Sequence, residues 1–206
     1  MSPLRGFRLL ALGLAALALE ACAPFLLTSD QLAAREVLDS RRTALEPLSE
    51  WQAVGRLSVQ SGEQAWHASL VWRQEGEDYR IRLLGPLGQG GVEIAGGRSE
   101  VTLRTGTGVS YSAVSPETLM QERLGWWVPV RGLRYWLLGL ADPDVGWARG
   151  LVDGEGRPAG LSQDGWEVRY LAWLPQQPVP LPARVEFERE DVRAKIVVNR
   201  WDLGGS

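Results

Sequence analysis

Apolar residues recur at every second position over much of this chain from Trp51 onward. Alternation with a period of two is typical of β-strands that bury one face and expose the other. Turn signals such as Ser61-Gly62-Glu63 and Asp164-Gly165 separate the alternating segments, at spacings of roughly 8–12 residues. Short strands joined by short turns favour an antiparallel meander, so the chain is predicted to be mainly β.

The first two predicted strands show this pattern most clearly. The residues that share one face are apolar and mostly large: Trp51, Ala53, Leu57 and Val59, then Trp66, Ala68, Leu70 and Trp72. Further alternation predicts strands over residues 79–84, 92–95, 100–104, 109–114, 166–173, 184–189 and 192–201. Four prolines between residues 175 and 182 predict a stiff extended connection.

Two brief apolar helices interrupt the strand pattern. Ser115-Pro116-Glu117 combines a capping residue, a proline at the first helical position and an acid in the first turn, and it predicts a helix that ends at Gly125. A second helix is predicted over residues 131–138, closed by Gly139. Because such helices need an apolar surface to cover, they are predicted to form a lid or plug over a concave surface.

The N-terminus has the features of a secretion signal. Arg5 and Arg8 precede an apolar run from Leu9 to Leu19, which is shorter than the roughly 20 residues needed to span a bilayer. The only cysteine of the chain, Cys22, follows this run.

The sequence Leu19-Glu20-Ala21-Cys22 resembles the bacterial lipoprotein box, in which the cysteine is lipidated, with palmitate for example, and becomes the first mature residue. The same resemblance implies sorting to the outer membrane, because Ala23 is not Asp. The alternative is an ordinary signal peptide with an incidental cysteine. The predicted organisation is a signal peptide over residues 1–21, a tether over 22–28 and one domain over 29–206. The domain begins with a helix from about Asp30 to Ala44, for which Ser29 or Thr28 is the predicted cap.

A glycine-rich loop separates the predicted strands over residues 79–84 and 92–95. Four glycines and Pro86 lie within residues 85–91 and surround Leu87, which has no apolar neighbour close in sequence. Either Leu87 folds back onto the core, or it points outward to meet a bilayer or an acyl chain.

Several function classes conflict with the composition. The formal net charge of −3 argues against a nucleic-acid-binding surface. The only lysine, Lys195, lies in a strand pattern, which argues against a P-loop nucleotide site. The only histidine, His67, lies on the polar face of a strand and is not expected to bind a metal or to act in a catalytic triad. We therefore predict no enzyme activity, no catalytic residue, no cofactor and no metal.

Tryptophan is unusually frequent, with ten of the seventeen aromatic residues. Such an excess is typical of a large core, of a surface near lipid or of a ligand cavity. Trp66 and Trp72 illustrate the ambiguity, because their shared strand face fits either core packing or the wall of a cavity.

As a set, the apolar stretches resemble the LolB family, which receives lipoproteins at the outer membrane in the lipoprotein localisation pathway. The stretches that carry the resemblance are WQAVGRLSV (51–59), WHASLVW (66–72), YRIRLLGPLG (79–88), LGWWVP (124–129), LRYWLLGL (133–140) and QDGWEVRY (163–170). Pro182 and residues 197–201 extend it over nearly all of the mature chain.

The resemblance implies a half-open antiparallel β-barrel of about eleven strands, with a short helical lid over a hydrophobic cavity. It implies that the periplasmic carrier LolA hands over acylated lipoprotein cargo, which the protein inserts into outer-membrane lipids without an energy source. The expected protein is a monomer, lipid-anchored to the outer membrane and facing the periplasm.

The resemblance also assigns site residues. Leu87 corresponds to a protruding leucine that the family needs for delivery, and Cys22 to the lipidated residue. Apolar residues of the strands and of the lid are expected to line the acyl-chain cavity: Leu57, Trp66, Leu70, Trp72, Ile81, Leu83, Leu119, Leu133, Trp136, Leu137, Tyr170 and Ile196.

Two other functions remain open from the residues alone. An envelope scaffold or assembly lipoprotein would use the sheet to bind protein instead of acyl chains, and would have a fully packed interior. A periplasmic hydrolase would need a pair of convergent carboxylates with shifted pKa values in a cleft.

Overall fold

A computed structural model describes residues 28–86, 90–98, 100–124, 127 and 129–204. Three helices fall within these ranges: α1 Ser29–Leu45, α2 Pro116–Leu124 and α3 Val130–Trp136. The strands are β1 Glu50–Ser61, β2 Gln64–Glu75, β3 Asp78–Leu84, β4 Val92–Gly96, β5 Val101–Thr105, β6 Ser110–Ala113, β7 Trp147–Val152, β8 Pro158–Gln163, β9 Trp166–Leu174, β10 Leu181–Arg189 and β11 Val192–Leu203.

All eleven strands form one antiparallel sheet in the order β6-β5-β4-β3-β2-β1-β11-β10-β9-β8-β7. The first strand pairs with the last along eleven residue pairs, from Trp51 opposite Leu203 to Ser61 opposite Val192. The sheet does not close within the described ranges, because β6 and β7 lie at its two opposite edges. The predicted mainly-β, half-open antiparallel architecture with helices is therefore confirmed.

Alternation along the strands divides the sheet into an inner and an outer face. On β2 the buried residues are Ala68, Leu70, Trp72 and Gln74, and the residues between them point outward. Gly55 lies where the pairing of β1 with β11 shifts register, and a Cβ there would overlap the carbonyl oxygen of Val197. Glycine is required at this position because only glycine lets the two central backbones approach so closely.

The helices begin where the capping residues predict. The Oγ1 of Thr28 accepts a hydrogen bond from the backbone N–H of Gln31, and the Gln31 side chain accepts one from the backbone N–H of Thr28, so α1 starts with a capping box. In the same way the Oγ of Ser115 accepts from the backbone N–H of Thr118 at the start of α2. α1 packs against β7 and β8, and α2 packs against β5 and β6.

Some boundaries differ from the sequence prediction. The alternating pattern did not predict β7 or β8. Helix α3 ends at Trp136 instead of 138 because Leu137 to Gly139 form a turn with Gly139 at φ +74°. β10 begins at Leu181, inside the proline-rich segment that was predicted as a connection. The register shift between Pro182 and Arg184 accommodates the proline, which has no N–H for the sheet. None of the described helices is long and apolar enough to cross a bilayer.

Candidate functional site

The concave face of the sheet, together with α2 and α3, forms the candidate site. Of the twelve residues expected to line a cavity, nine are buried in one continuous apolar cluster: Leu70, Trp72, Ile81, Leu83, Leu119, Trp136, Leu137, Tyr170 and Ile196. The other three, Leu57, Trp66 and Leu133, pack against this cluster and stay half-buried. The predicted strand and helix residues thus share one apolar interior. Most of them are fully buried, and the rest keep part of their surface accessible.

One end of the concave face is closed by a cluster of tryptophans, and we call it the tryptophan end. The ring of Trp51 lies 5.7 Å from that of Trp72 and 5.4 Å from that of Trp201. The indole N–H of Trp72 donates to Oε1 of Gln74 at 3.1 Å, and that of Trp201 donates to the carbonyl oxygen of Pro182 at 2.9 Å. The Trp51 and Trp72 rings are tilted by 38° and the Trp51 and Trp201 rings pack edge to face. Because these rings are closely packed and the N–H groups of Trp72 and Trp201 are satisfied, this end is a rigid wall.

The opposite end carries the β1–β2 turn and the β3–β4 loop, and we call it the loop end. There the inner-face residues Leu57, Trp66, Val192 and Ala194 are half-buried. The strand register makes them neighbours, since Val59 pairs with both Trp66 and Ala194. A contiguous apolar patch across β2, β1 and β11 therefore stays partly accessible at the loop end.

The β3–β4 loop lies beside this patch. The loop follows Leu84, which pairs with Ser69 of β2. Gly85 and Pro86 also border a depression of about 520 Å³, but its lining is mostly outer-face side chains such as Arg56, His67 and Lys195, so this depression lies outside the apolar interior. Leu87 itself lies outside the described residues, as does Cys22. Their assigned roles remain predictions.

Helix α3 is joined to the sheet by a buried glutamine. The side-chain carbonyl of Gln163 accepts from the indole N–H of Trp136 at 2.9 Å and from the backbone N–H of Asp142 at 2.8 Å. Its amide donates to the backbone carbonyls of Asp142 and Val145, both at 2.8 Å. All the polar groups of this buried side chain are satisfied, so Gln163 fixes α3 and the segment after it against β8.

A row of aromatic rings continues from α3 to the loop end. Phe187 stacks on Trp136 at 6.1 Å, Trp136 lies 6.2 Å from Trp166, and Trp127 stacks on Trp166 at 6.4 Å. The guanidinium of Arg189 covers the half-buried Trp127 ring at 4.8 Å. Trp127, which lies between α2 and α3, thus contacts both the sheet interior and the surface.

A buried arginine joins α1 to the end of α3. Arg41 donates from Nε to the carbonyl oxygen of Leu138 and from Nη2 to that of Pro180, both at 2.8 Å, and its guanidinium lies 4.8 Å from the Trp173 ring. Burial lowers the pKa of Arg41 to about 10. A Cβ at Gly139 would lie 2.8 Å from Nε of Arg41, so the turn after α3 is shaped around this side chain.

Sequence reasoning missed both Arg41 and Gln163. An arginine in a helix and a glutamine at a strand end both suggest exposed positions. Gly139, whose backbone lies against the Arg41 side chain, is predicted from the sequence only to end a helix. No local signal in the sequence identifies either side chain as buried.

Three phenol or indole groups are covered from solvent and have no hydrogen-bond partner within the described part of the chain: the hydroxyls of Tyr79 and Tyr170 and the N–H of Trp166. Burial raises the pKa of Tyr170, and burial with the nearby carboxylate of Glu117 raises that of Tyr79. An unsatisfied buried donor of this kind destabilises a fold by about 1–3 kcal/mol.

Comparison with known proteins identifies the family. The family model described as outer membrane lipoprotein LolB matches residues 49–201. The chain belongs to the LolB family.

Two relatives named outer-membrane lipoprotein LolB illustrate the similarity. The protein of Alkalilimnicola ehrlichii is 40% identical over 200 residues, which cover 97% of this chain and 99% of the relative. That of Nitrosococcus oceani is 38% identical over 186 residues, covering 90% and 92%. Membership of the LolB family confirms the predicted outer-membrane, lipid-anchored location.

The fold extends beyond the LolB family. A LolA superfamily protein from Nitrosomonas europaea superposes with a TM-score of 0.54 at 10% identity, over 84% of this chain and 94% of the other. A putative outer membrane lipoprotein-sorting protein domain from Vibrio parahaemolyticus superposes with a TM-score of 0.52 at 6% identity, over 85% and 94%. At these identities the likeness concerns the fold alone.

Proposed function

We propose that this LolB-family protein receives acylated lipoproteins from the periplasmic carrier LolA on its apolar concave face and inserts them into the outer membrane, with no energy source of its own. It acts as an acceptor and not as an enzyme. The single observation that carries the proposal is the apolar patch at the loop end. Its residues Leu57, Trp66, Val192 and Ala194 are half-buried and pack against the buried apolar cluster.

The energetics of acyl chains support direct transfer. Exposing an acyl chain to water costs about 0.8 kcal/mol per methylene, so even a few exposed methylenes make a large barrier. A chain that passes from one apolar cavity to another, and then to a bilayer, avoids this barrier. The accessible patch lies beside the β3–β4 loop, so cargo bound at the loop end would be next to Leu87 when it leaves.

The lid must move for cargo to enter. Leu119 on α2 and Trp136 and Leu137 on α3 are buried against the sheet. The same close packing is what a scaffold lipoprotein would need, so a scaffold that binds protein on its sheet is the second candidate. The two candidates differ in the species that contacts Leu57.

The role of Leu87 is tested by charge. In Leu87→Glu, cargo uptake from LolA should be unchanged while delivery to outer-membrane vesicles is lost, because a carboxylate is unfavourable in hydrocarbon. Leu171→Glu is the matched control, since Leu171 is an exposed leucine on β9 with 50% of its surface accessible. Normal delivery by Leu87→Glu would refute the assignment of the loop.

Photo-crosslinking separates acceptor from scaffold. A photoreactive residue at position 57 should capture acylated cargo, and one at position 171 should not. Capture of protein that carries no acyl chain at position 57, with none of the acylated cargo, would establish the scaffold instead.

A further inference from the structure

Trp166 differs from other buried tryptophans of this interior in its hydrogen bonding. Trp72, Trp136 and Trp201 each donate their indole N–H to an oxygen between 2.9 and 3.1 Å away. Trp166 is only 1% exposed, yet its N–H has no acceptor among the residues that the structure describes. A buried N–H without a partner is rare in folded proteins, so this donor requires an explanation.

The position of Trp166 connects this donor to the candidate site. Trp166 is the first residue of β9, on the inner face and next to the β8–β9 turn at the loop end. Its ring is stacked against Trp127, which is half-buried and lies in the segment between α2 and α3. Two tryptophan rings contact Trp166, and Trp127 is the accessible one because Trp136 is buried. Displacement of the Trp127 ring is therefore the route by which Trp166 would be reached from the side of the lid.

The chemistry of the proposed cargo supplies the missing acceptor. An acyl chain is apolar except at its carbonyl, and a carbonyl oxygen that enters an apolar site needs a donor there. An indole N–H is suited to this task because it only donates and stays neutral.

We propose that the indole N–H of Trp166 donates a hydrogen bond to an acyl carbonyl oxygen of the bound lipid once the Trp127 ring has moved aside. This inference rests on the proposed function, and it adds a residue that fixes how deep the acyl chains sit. The hydrocarbon then extends from Trp166 into the apolar interior, and the polar part of the lipid stays at the loop end.

A pair of matched ligands tests the contact in the full chain. One is a synthetic lipopeptide with two ester-linked palmitoyl chains, and the other is its analogue with both ester carbonyls replaced by ether linkages. Affinity is measured from displacement of the apolar dye N-phenyl-1-naphthylamine. The protein should bind the ester form about five- to tenfold more tightly, the ratio that one net hydrogen bond gives.

Variants then locate the effect. Trp166→Phe keeps an aromatic ring and removes the N–H, so it should abolish the preference for the ester while dye binding and ether binding are retained. Trp201→Phe removes an indole N–H that is bonded to Pro182 and should keep the preference. Equal affinity of the unmodified protein for the two ligands would overturn the inference and leave the proposed function standing. So would a preference for the ester that Trp166→Phe retains. Failure of both lipids to displace the dye would refute the proposed function itself.

Discussion

Replacement of Arg41 by methionine tests the link between α1 and the lid. Methionine fills much of the volume of the arginine stem but provides no donor, so the contacts of α1 with Leu138 and Pro180 are lost. The guanidinium also leaves the face of the Trp173 ring, 4.8 Å away.

The magnitude follows from three opposing contributions. Two hydrogen bonds from a charged donor contribute about 1.5–3 kcal/mol each, and the cation–π contact adds about 1 kcal/mol. Against this, burial lowers the Arg41 pKa from its ordinary value to about 10, which corresponds to about 3 kcal/mol of lost solvation for the charge. The net loss expected for Arg41→Met is about 1–4 kcal/mol in the free energy of unfolding.

Urea unfolding followed by tryptophan fluorescence measures this loss. Arg35→Met is the matched control, because Arg35 is exposed on the same helix and its replacement should change stability by less than about 0.5 kcal/mol. Arg41→Lys should recover only part of the loss, since one ammonium group does not reproduce two fixed donors. If Arg41→Met unfolds at the same urea concentration as Arg35→Met, the buried arginine does not hold α1 to α3.

Two further predictions concern buried polar groups. Gln163→Leu should lower the free energy of unfolding by about 2–5 kcal/mol, because the N–H groups of Trp136 and Asp142 lose their acceptor; a loss below 1 kcal/mol in thermal unfolding would contradict this. Tyr170→Phe removes a buried hydroxyl without a described partner and should stabilise the protein at neutral pH. Burial raises the pKa of Tyr170 in the folded protein above its ordinary value of 10. Below pH 10 the phenol is neutral in both states. Above pH 10 the phenol ionises in the unfolded chain first, which favours unfolding and lowers the stability of the unmodified protein. Relative to the unmodified protein, the variant should therefore gain up to about 1.4 kcal/mol per pH unit above pH 10, and a gap in urea midpoints that stays constant from pH 9 to 11 would be the contrary result.

Local patterns predicted most of the elements of this fold. The capping residues Thr28 and Ser115 mark where α1 and α2 begin, and period-two alternation marks the long strands β1, β2 and β11. β7 and β8 were not predicted. In β7, Arg149 and Gly150 interrupt the short run between Trp147 and Val152, and in β8, Pro158 and Gly160 are residue types depleted in strands. Short edge strands depend on their neighbour more than on their own propensity.

Long-range pairing lay beyond the sequence pattern. Nothing in the residues of β1 indicates that β11, at the far end of the chain, is its neighbour, although this pairing fixes which strands become the edges. The resemblance to the LolB family predicts the half-open barrel, and the structure shows which residues pair across β1 and β11. The degree of burial on the concave face was likewise unpredictable, since Trp66 and Trp72 share one strand face yet only Trp72 is fully buried.

The shortness of the lid helices bears on how such a site could open. α2 has nine residues and α3 has seven, and helices below roughly 12–15 residues are marginal in water without tertiary contacts. Their stability must come from side chains such as Leu119 and Leu137, whose burial contributes about 1.5–3 kcal/mol each. An acyl chain that displaced them would bury apolar surface of the same kind and contribute about 0.8 kcal/mol per methylene, so a few methylenes would offset each displaced leucine. Lid and cargo would then compete for one apolar face with similar free energies, and exchange between them needs no external energy source. Gln163 and Arg41 hydrogen-bond to Trp136 and Leu138, at the C-terminal end of α3. The N-terminal end of α3, next to Trp127, is therefore the part that an acyl chain would displace.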